Sequence, residues 1–510
     1  QGGDLRSAAR NMNDNACHMT AVDAVRAIID GELTSAELVT ACLARCAKRE
    51  PVVKAWAHLD PDLAMAEARA TDEALASGAE PGPLQGIPVG IKDIIDTADL
   101  PTENGSALFT GRRPAQDATT VALLRRAGAV IMGKTVTTEF AMSGAHGTTN
   151  PHHPAHTPGG SSSGSGAAVA DFMASLALGS QTGGSVIRPA SFCGIYGYKP
   201  TFGSISRART FILARRLDHI GVYGRSLADL ALIGDALMVW DPADLDMRDQ
   251  PACGLIDAWT ERVVKTPRLA FVTGPPWDYA EPHMPPLFEA YVDKLADAVT
   301  QVELAGVFES ALDVQVTVMN ANLYANLEEY VERAAGKLMA ETVRRVEAGR
   351  GISADAYIRA LELADSIAGA LDHLFEHYDA LITAAAPGEA PVGLESTGNP
   401  AFQRIWTLTG VPTVTLPKLT GPNGLPIGVQ VIGRAGGDAK LVAVPHDKLT
   451  QTYHNVREIE DLPELLRDQI RHFFENYKTL EPGKWVKVQG WDNAAAAKKA
   501  IEDAINAYKG

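Results

Sequence analysis

Apolar positions recur along this chain at two spacings. From Thr20 to Lys48 they fall at helical intervals on either side of Gly31, which predicts two helices. The second is capped by Thr34 or Ser35, with Glu37 in its first turn. Residues 60–77, 117–127 and 226–239 predict further helices, and 281–305 and 319–375 are mostly helical in pattern. Between them lie short apolar runs of strand length. The run Ile87-Pro88-Val89-Gly90-Ile91 ends on Lys92; others cover 129–133, 268–272, 379–383, 413–416 and 427–432. Strands separated by helices of this length predict an α/β fold: a mixed, mainly parallel twisted sheet with helices on both faces. There is no internal repeat.

Composition narrows the partners more than the fold. The 510 residues carry 46 basic against 62 acidic side chains, a net charge of −16. That balance argues against nucleic acid or an anionic membrane as the main partner. The first twenty residues hold no apolar run long enough for a signal peptide, and no stretch approaches the ~20 apolar residues of a membrane span. Cys17, Cys42, Cys46, Cys193 and Cys253 make an odd count without framework spacing, and Cys42 and Cys46, one helical turn apart, read as packed thiols. A reducing, cytoplasmic location is expected.

Residues 158–201 carry the candidate chemistry. Two turns, Gly159-Gly160-Ser161 and Gly183-Gly184-Ser185, bracket an apolar, helix-like run from Ala167 to Leu178. Glycines beside a serine let the backbone approach a substrate and aim its N–H groups at one point. A serine there is a candidate nucleophile if a neighbour can take its proton. A flexible Gly/Ser linker does not fit the apolar run, nor the Ile195-Tyr196-Gly197-Tyr198 segment that follows.

Three arrangements compete to activate that serine. Residues 160–164 formally match G-x-S-x-G, but two prolines and no strand precede them, unlike a nucleophile elbow. His146, His152, His153 and His156 lack H-E-x-x-H spacing and lie in a Pro-rich loop, which reads as a polar surface or pocket edge. Lys92 can act as a base only when neutral, and the end of an apolar strand favours that state. A lysine snorkelling at a strand end has the same spacing.

Several motifs, taken in order, resemble the amidase signature family. They are residues 86–93 (GIPVGIKD), 159–164 (GGSSSG), Gly183-Gly184-Ser185, Cys193-Gly194, Lys199-Pro200-Thr201, Leu217-Asp218-His219, Ala228-Asp229, Trp406-Thr407, Gly410-Val411-Pro412 and 424–430 (GLPIGVQ). The resemblance spans about residues 20–436. It implies a Ser–Ser–Lys triad. Ser185 would attack an amide carbonyl, Ser161, preceded by a cis peptide, would relay the proton, and Lys92 would accept it. The backbone of Thr182, Gly183, Gly184 and Ser185 would form the oxyanion hole. No metal or cofactor is implied, and the expected ligand is a small amide. Where the family usually carries Asp and Arg flanking the second turn, this chain has Gln181 and Ile187, with Arg188 one place later. The intervening segments 140–157, 205–220 and 310–335 carry Met142, Phe211, Ile212, Leu213 and Tyr324, which suit either an apolar acyl group or the core.

Past Gly437 the texture changes. Residues 437–510 resemble the C-terminal segment of soluble inorganic pyrophosphatases, with Asp438, Lys440, Tyr477 and Lys478 on that family's active-site positions. A helix is expected over 462–477, a strand over 484–488 and a closing helix from Asn493. The carboxylates that would hold several Mg²⁺ ions have no counterpart here, so no pyrophosphatase activity is expected. The division falls between an amidase domain, 1–436, and this appendage. The leading expectation is hydrolysis of a carboxylic amide. The alternatives are the A subunit of a tRNA-dependent amidotransferase, which needs a partner chain, and a catalytically silent binding protein of the same fold. Family habit suggests a homodimer.

Overall fold

The computed structural model describes residues 16–142, 144, 147–249, 253–260, 266–295 and 298–443, all within one compact unit, residues 13–446. The features expected in the tail beyond 443, with Tyr477, Lys478 and the loop residue His146, lie outside the described residues.

One sheet of eleven strands organises this unit. In chain order they are β1 (Trp56–Leu59), β2 (Pro88–Lys92), β3 (Val130–Thr135), β4 (Leu176–Gln181), β5 (Tyr196–Lys199), β6 (His219–Gly224), β7 (Leu269–Thr273), β8 (Val299–Glu303), β9 (Ala380–Ala384), β10 (Thr413–Thr420) and β11 (Pro426–Ile432). Their spatial order is β1-β3-β2-β4-β6-β5-β10-β11-β9-β7-β8. The fold is α/β and the sheet mixed, as expected. The weighting differs: β2 pairs in parallel with β3 and β4, and β7 with β8 and β9, while the other six pairings are antiparallel. The hairpin β10–β11 turns at Gly424, whose φ of 79° suits glycine, and Glu389 accepts from the amides of Asn423 and Leu425 inside the turn.

The amino-terminal pattern is realised closely. Helices cover Ala21–Ile29, Ser35–Val53 and Pro61–Ala76, and Thr34 with Glu37 forms a capping box on the second. Two expectations are corrected. The run 167–178 is the end of a helix, Ser163–Ala170, followed by a bend at Phe172 (φ 57°) and then β4. A continuous apolar run does not distinguish buried helix from buried strand, and here the strand is buried throughout and the helix at every residue but Ala170. Among the described residues, 281–305 hold one α-helix, Met284–Asp293, and then the edge strand β8, in which Val299 and Val302 are half-buried at a spacing of three that imitates a helix.

What matters for function is where strands end. β2 and β4 are parallel neighbours, so Lys92 and Gln181 close the same edge of the sheet, where open α/β sheets bind ligands. Val169 from one helix and Val186, Ala190 and Cys193 around another pack against Ala177 and Tyr223 of β4 and β6, fixing the loop between β4 and the helix Ile187–Cys193. At the far end of the unit, Asp438 opens a helix, Asp438–Ala443, and accepts from the Tyr198 hydroxyl and from the backbone and hydroxyl of Thr201.

Candidate active site

Lys92 is fully buried, and its Nζ lies 2.8 Å from Ser161 Oγ and 2.8 Å from Ser180 Oγ. Burial drives its pKa well below the ordinary lysine value, and the carboxylate of Asp218 opposes that only in part. Ser161 follows the one cis peptide of the described chain, Gly160–Ser161. The Gly160 carbonyl accepts from Arg188 Nη2 at 2.7 Å. Ser162 anchors the same loop to β4: its Oγ donates to Ser180 O and accepts from Ser180 N, both at 3.2 Å.

Ser185 stands on the loop between β4 and the helix Ile187–Cys193. Its carbonyl accepts from the Tyr223 hydroxyl at 3.0 Å, and its own hydroxyl takes part in no hydrogen bond among the described residues. The structure therefore joins Lys92 to Ser161 directly and leaves the Ser185 hydroxyl unengaged. Catalytic hydrogen bonds often tighten only once substrate is bound.

Gln181, which with Ile187 departs from the family pattern, organises this loop. Gln181 Oε1 accepts from the amides of Val186 (2.9 Å) and Ile187 (3.1 Å), the work a carboxylate could do, without its charge. Its Nε2 donates to Thr407 Oγ1, which in turn donates to Gly183 O at 2.8 Å. Thr182 is tied down from both sides: Oγ1 donates to Asp218 at 2.6 Å, and its carbonyl accepts from Gln315 Nε2 at 3.1 Å. Gly184 must be glycine, because a Cβ there would clash with Gln403 and press on Pro400 and Arg188. No described residue accepts from the amides of Gly183, Gly184 or Ser185.

Other expected residues separate. Ile94, Ala141, Phe211, Ile212, Leu213 and Asp218 line a small enclosed cavity beside Ser180 and Thr182. Phe211 belongs to an aromatic cluster, stacking on Phe140 at 5.3 Å, whereas Tyr324 lies under the Arg350 guanidinium instead. The loop histidines bind backbone: His152 pairs with the Cys193 carbonyl and His156 with that of Ala390. Sequence reasoning missed Ser180, Gln315 and Tyr223. The available signal was Ser180-Gln181-Thr182, a polar run closing an otherwise apolar strand.

A family model described as Amidase matches residues 37–442. The chain belongs to the Amidase family. It is an enzyme family acting on C–N bonds, and Lys92, Ser161 and Ser185 of this member lie on the edge just described. The glutamyl-tRNA(Gln) amidotransferase A subunit of Chloroflexus aurantiacus is 35% identical over 487 residues, covering 86% of this chain and 98% of that one. Its counterpart of the same description from Chloroflexus aggregans is 36% identical over 470 residues, covering 84% and 95%. Among solved structures, the peptide amidase from Stenotrophomonas maltophilia superposes with a TM-score of 0.74 at 30% identity, covering 85% of this chain and 97% of that one. A chain from an inhibitor-bound vestigial complex, related to the origins of an s-triazine catabolic enzyme, gives 0.79 at 26% identity, covering 84% and 97%. A second model, described as Inorganic pyrophosphatase, matches residues 423–509 and so overlaps the end of the amidase match. No described helix is long and apolar enough to cross a membrane.

Proposed function

We propose that this amidase-family chain cleaves a carboxylic amide through an acyl-enzyme on Ser185, with Ser161 and Lys92 moving the proton and no metal or cofactor taking part. The observation that carries the reading is the 2.8 Å contact between Ser161 Oγ and the buried Lys92 amine. Ser185 Oγ attacks the carbonyl carbon, its proton passes to Ser161, and the Ser161 proton passes to neutral Lys92. The oxyanion meets the amides of the loop from Thr182 to Ser185. As the tetrahedral adduct collapses, Lys92 returns its proton through Ser161 to the departing nitrogen, which leaves as ammonia or amine. Water then attacks the acyl carbon along the same relay and releases the acid. Losing one oxyanion donor typically costs about 2.7–4 kcal/mol of barrier, so the loop geometry matters as much as the hydroxyl.

A second reading keeps this chemistry and changes the fate of the ammonia. The similarity to the glutamyl-tRNA(Gln) amidotransferase A subunits favours it: the chain would then serve as the amide-cleaving member of a complex and pass ammonia to a partner's substrate. Residues 437–510 are read as an appendage without pyrophosphatase activity in either case. A panel of aliphatic, aromatic and amino-acid amides, assayed on the isolated chain and on Ser185→Ala, tests the proposal. Turnover lost in the variant supports the stand-alone hydrolase. Turnover seen only after a partner is added supports the second reading, and equal turnover by wild type and variant refutes both.

A further inference from the structure

The helix Ala354–His377 buries Ala360, Ala364, Ile367, Leu371 and Phe375, positions three and four apart that fix how it is turned against the rest of the unit. Its last turn therefore sends His373, Glu376 and His377 outward, and all three are exposed. None of them takes part in the amide chemistry proposed above. Spacings of three and four residues put the three side chains on one helix face. Their ligand atoms, a ring nitrogen from each histidine and a carboxylate oxygen, lie within 4.8 Å of one another. The closest pair is already in contact: His373 Nδ1 stands 2.9 Å from Glu376 Oε2.

The surroundings favour a cation at this spot. The carbonyl end of a helix carries partial negative charge, and this one has no lysine or arginine in its last turn to answer it, only His377. Arg434 feels the charge of Glu376, yet its guanidinium is taken up by Asp372 through two contacts of 2.6 Å. Among the described residues the one ion-pair partner of Glu376 is thus His373.

We propose that His373, Glu376 and His377 bind a divalent transition-metal ion of the Zn²⁺ class, with the fourth position left to water. Two imidazoles and a carboxylate are a donor set that Zn²⁺ takes readily, whereas Mg²⁺ and Ca²⁺ call for oxygen ligands. Metal–ligand bonds of about 2.0–2.2 Å place tetrahedral neighbours roughly 3.4 Å apart. That spacing lies between the 2.9 Å of the closest pair and the 4.8 Å that bounds the set, so small rotations of exposed side chains complete the site without moving the helix. The entering ion displaces the proton shared by His373 and Glu376, which passes to solvent. Zinc peptidases use the same H-x-x-E-H spacing. Here Glu376 is turned to its histidine neighbour on an open surface, and so serves as a ligand rather than as a base. The bound ion clasps the last helical turn, residues 373–377, just ahead of β9.

The test reads metal uptake, not turnover, so it stands apart from the amidase reading. The full chain, stripped of metal by a chelator, is titrated calorimetrically with Zn²⁺ beside Glu376→Gln and the double variant His373→Ala, His377→Ala. All three positions are exposed, so the metal-free variants should unfold in urea together with the wild type. We expect the wild type to take up one equivalent more than the double variant, with a dissociation constant in the micromolar range or below. Altering a partner outside the metal's own ligands costs about 10–100-fold in affinity, so losing the Glu376 charge should weaken that equivalent at least tenfold. Co²⁺ in place of Zn²⁺ should give the wild type, and not the double variant, the visible absorption of a four-coordinate ion. The same stoichiometry and affinity in wild type and double variant, or uptake only at millimolar Zn²⁺, overturns the inference. An uptake that Glu376→Gln leaves unchanged would overturn it as well, since the carboxylate would then hold no ion.

Discussion

Two lysines lie side by side on neighbouring parallel strands and are equally hidden from water, yet only one has the partners that the proposed proton relay needs. Lys92 ends β2 and Lys134 lies next to it in register on β3, where it pairs with Ile91. Lys134 is surrounded by groups that ask it to donate: the Ile95 carbonyl, Thr102 Oγ1 at 2.7 Å, Thr97 Oγ1 at 3.3 Å and, 3.8 Å away, the carboxylate of Asp93. Burial lowers its pKa to about 8, with Asp93 pulling the other way. Lys92 has two hydroxyls and, among the described residues, no carboxylate within ion-pair range. A carbonyl can only accept, so it holds an ammonium; a hydroxyl can also donate, so it can serve a neutral amine. The partners, more than the burial, separate a structural lysine from a basic one.

The largest expected effect breaks this comparison in half. Lys92→Met should fold and lose roughly 10²–10⁴ in kcat, the range general-base catalysis supplies. Lys134→Met should keep kcat within a few-fold but lose about 3–5 kcal/mol of stability, because it strands the buried Asp93 carboxylate. Amide turnover and urea unfolding of both variants measure the split. A Lys134 variant that unfolds normally and does not turn over would reverse the assignment.

Gln181 offers the next largest effect. Removing its side chain in Gln181→Ala leaves the buried amides of Val186 and Ile187 without their acceptor, at about 1–3 kcal/mol each, and frees Gly183 through Thr407. We expect kcat to fall tenfold or more with little change in KM, since the loop is needed most at the transition state. A change confined to KM would mean that the loop holds substrate rather than the oxyanion.

This residue also shows what the chain's sequence makes legible. Gln181 is visible as a departure from a family pattern, but its compensation is not, because the two amides it serves are brought to it by a turn that no periodicity encodes. Lys92 is legible because an apolar run ending in a lysine has few explanations. Ser180, its second partner, is not, since it reaches Lys92 across two strands whose order along the sheet is set by tertiary packing. The helix-like reading of 167–178 fails for the same reason that β4 works: strand and helix are both buried almost throughout, so neither shows an amphipathic period. The amino-terminal helices are legible because they lie half in water, where capping residues and periodicity both leave a trace.

A smaller effect sharpens the lysine comparison through pH. The folded-state pKa of Lys134, about 8, lies below its ordinary value of 10.5, so between these limits the unfolded chain binds more protons than the folded one. Stability therefore rises with pH across that window, by at most about 1.4 kcal/mol per pH unit for this one group. Below pH 8 both states are protonated and the slope vanishes. Lys92 and Lys199 contribute with the same sign, and Tyr198 and Tyr223, raised by burial, oppose them above pH 10. All four groups are shared with Lys134→Met. Unfolding free energies of wild type and variant, measured from pH 7.5 to 10, should thus diverge as pH rises, in favour of the wild type. Parallel curves would show that Lys134 is not the titrating group.

The finest distinction concerns which hydroxyl Lys92 depends on. Ser180→Ala removes one of its two partners and leaves the contact to Ser161. An ammonium loses more from a missing acceptor than an amine does, so the lysine should release its proton at lower pH. The acid limb of the kcat/KM profile, which rises as Lys92 becomes neutral, should move down by about one pH unit, while the plateau falls only a few-fold. Ser161→Ala should instead collapse the plateau, because the relay itself is cut. If Ser180→Ala leaves the limb in place while Ser161→Ala abolishes turnover, the limb belongs to another group and Lys92 does not take the proton. A moved limb with a preserved plateau ties the base to Lys92, since among the described residues the Ser180 hydroxyl donates to or accepts from no other titratable side chain.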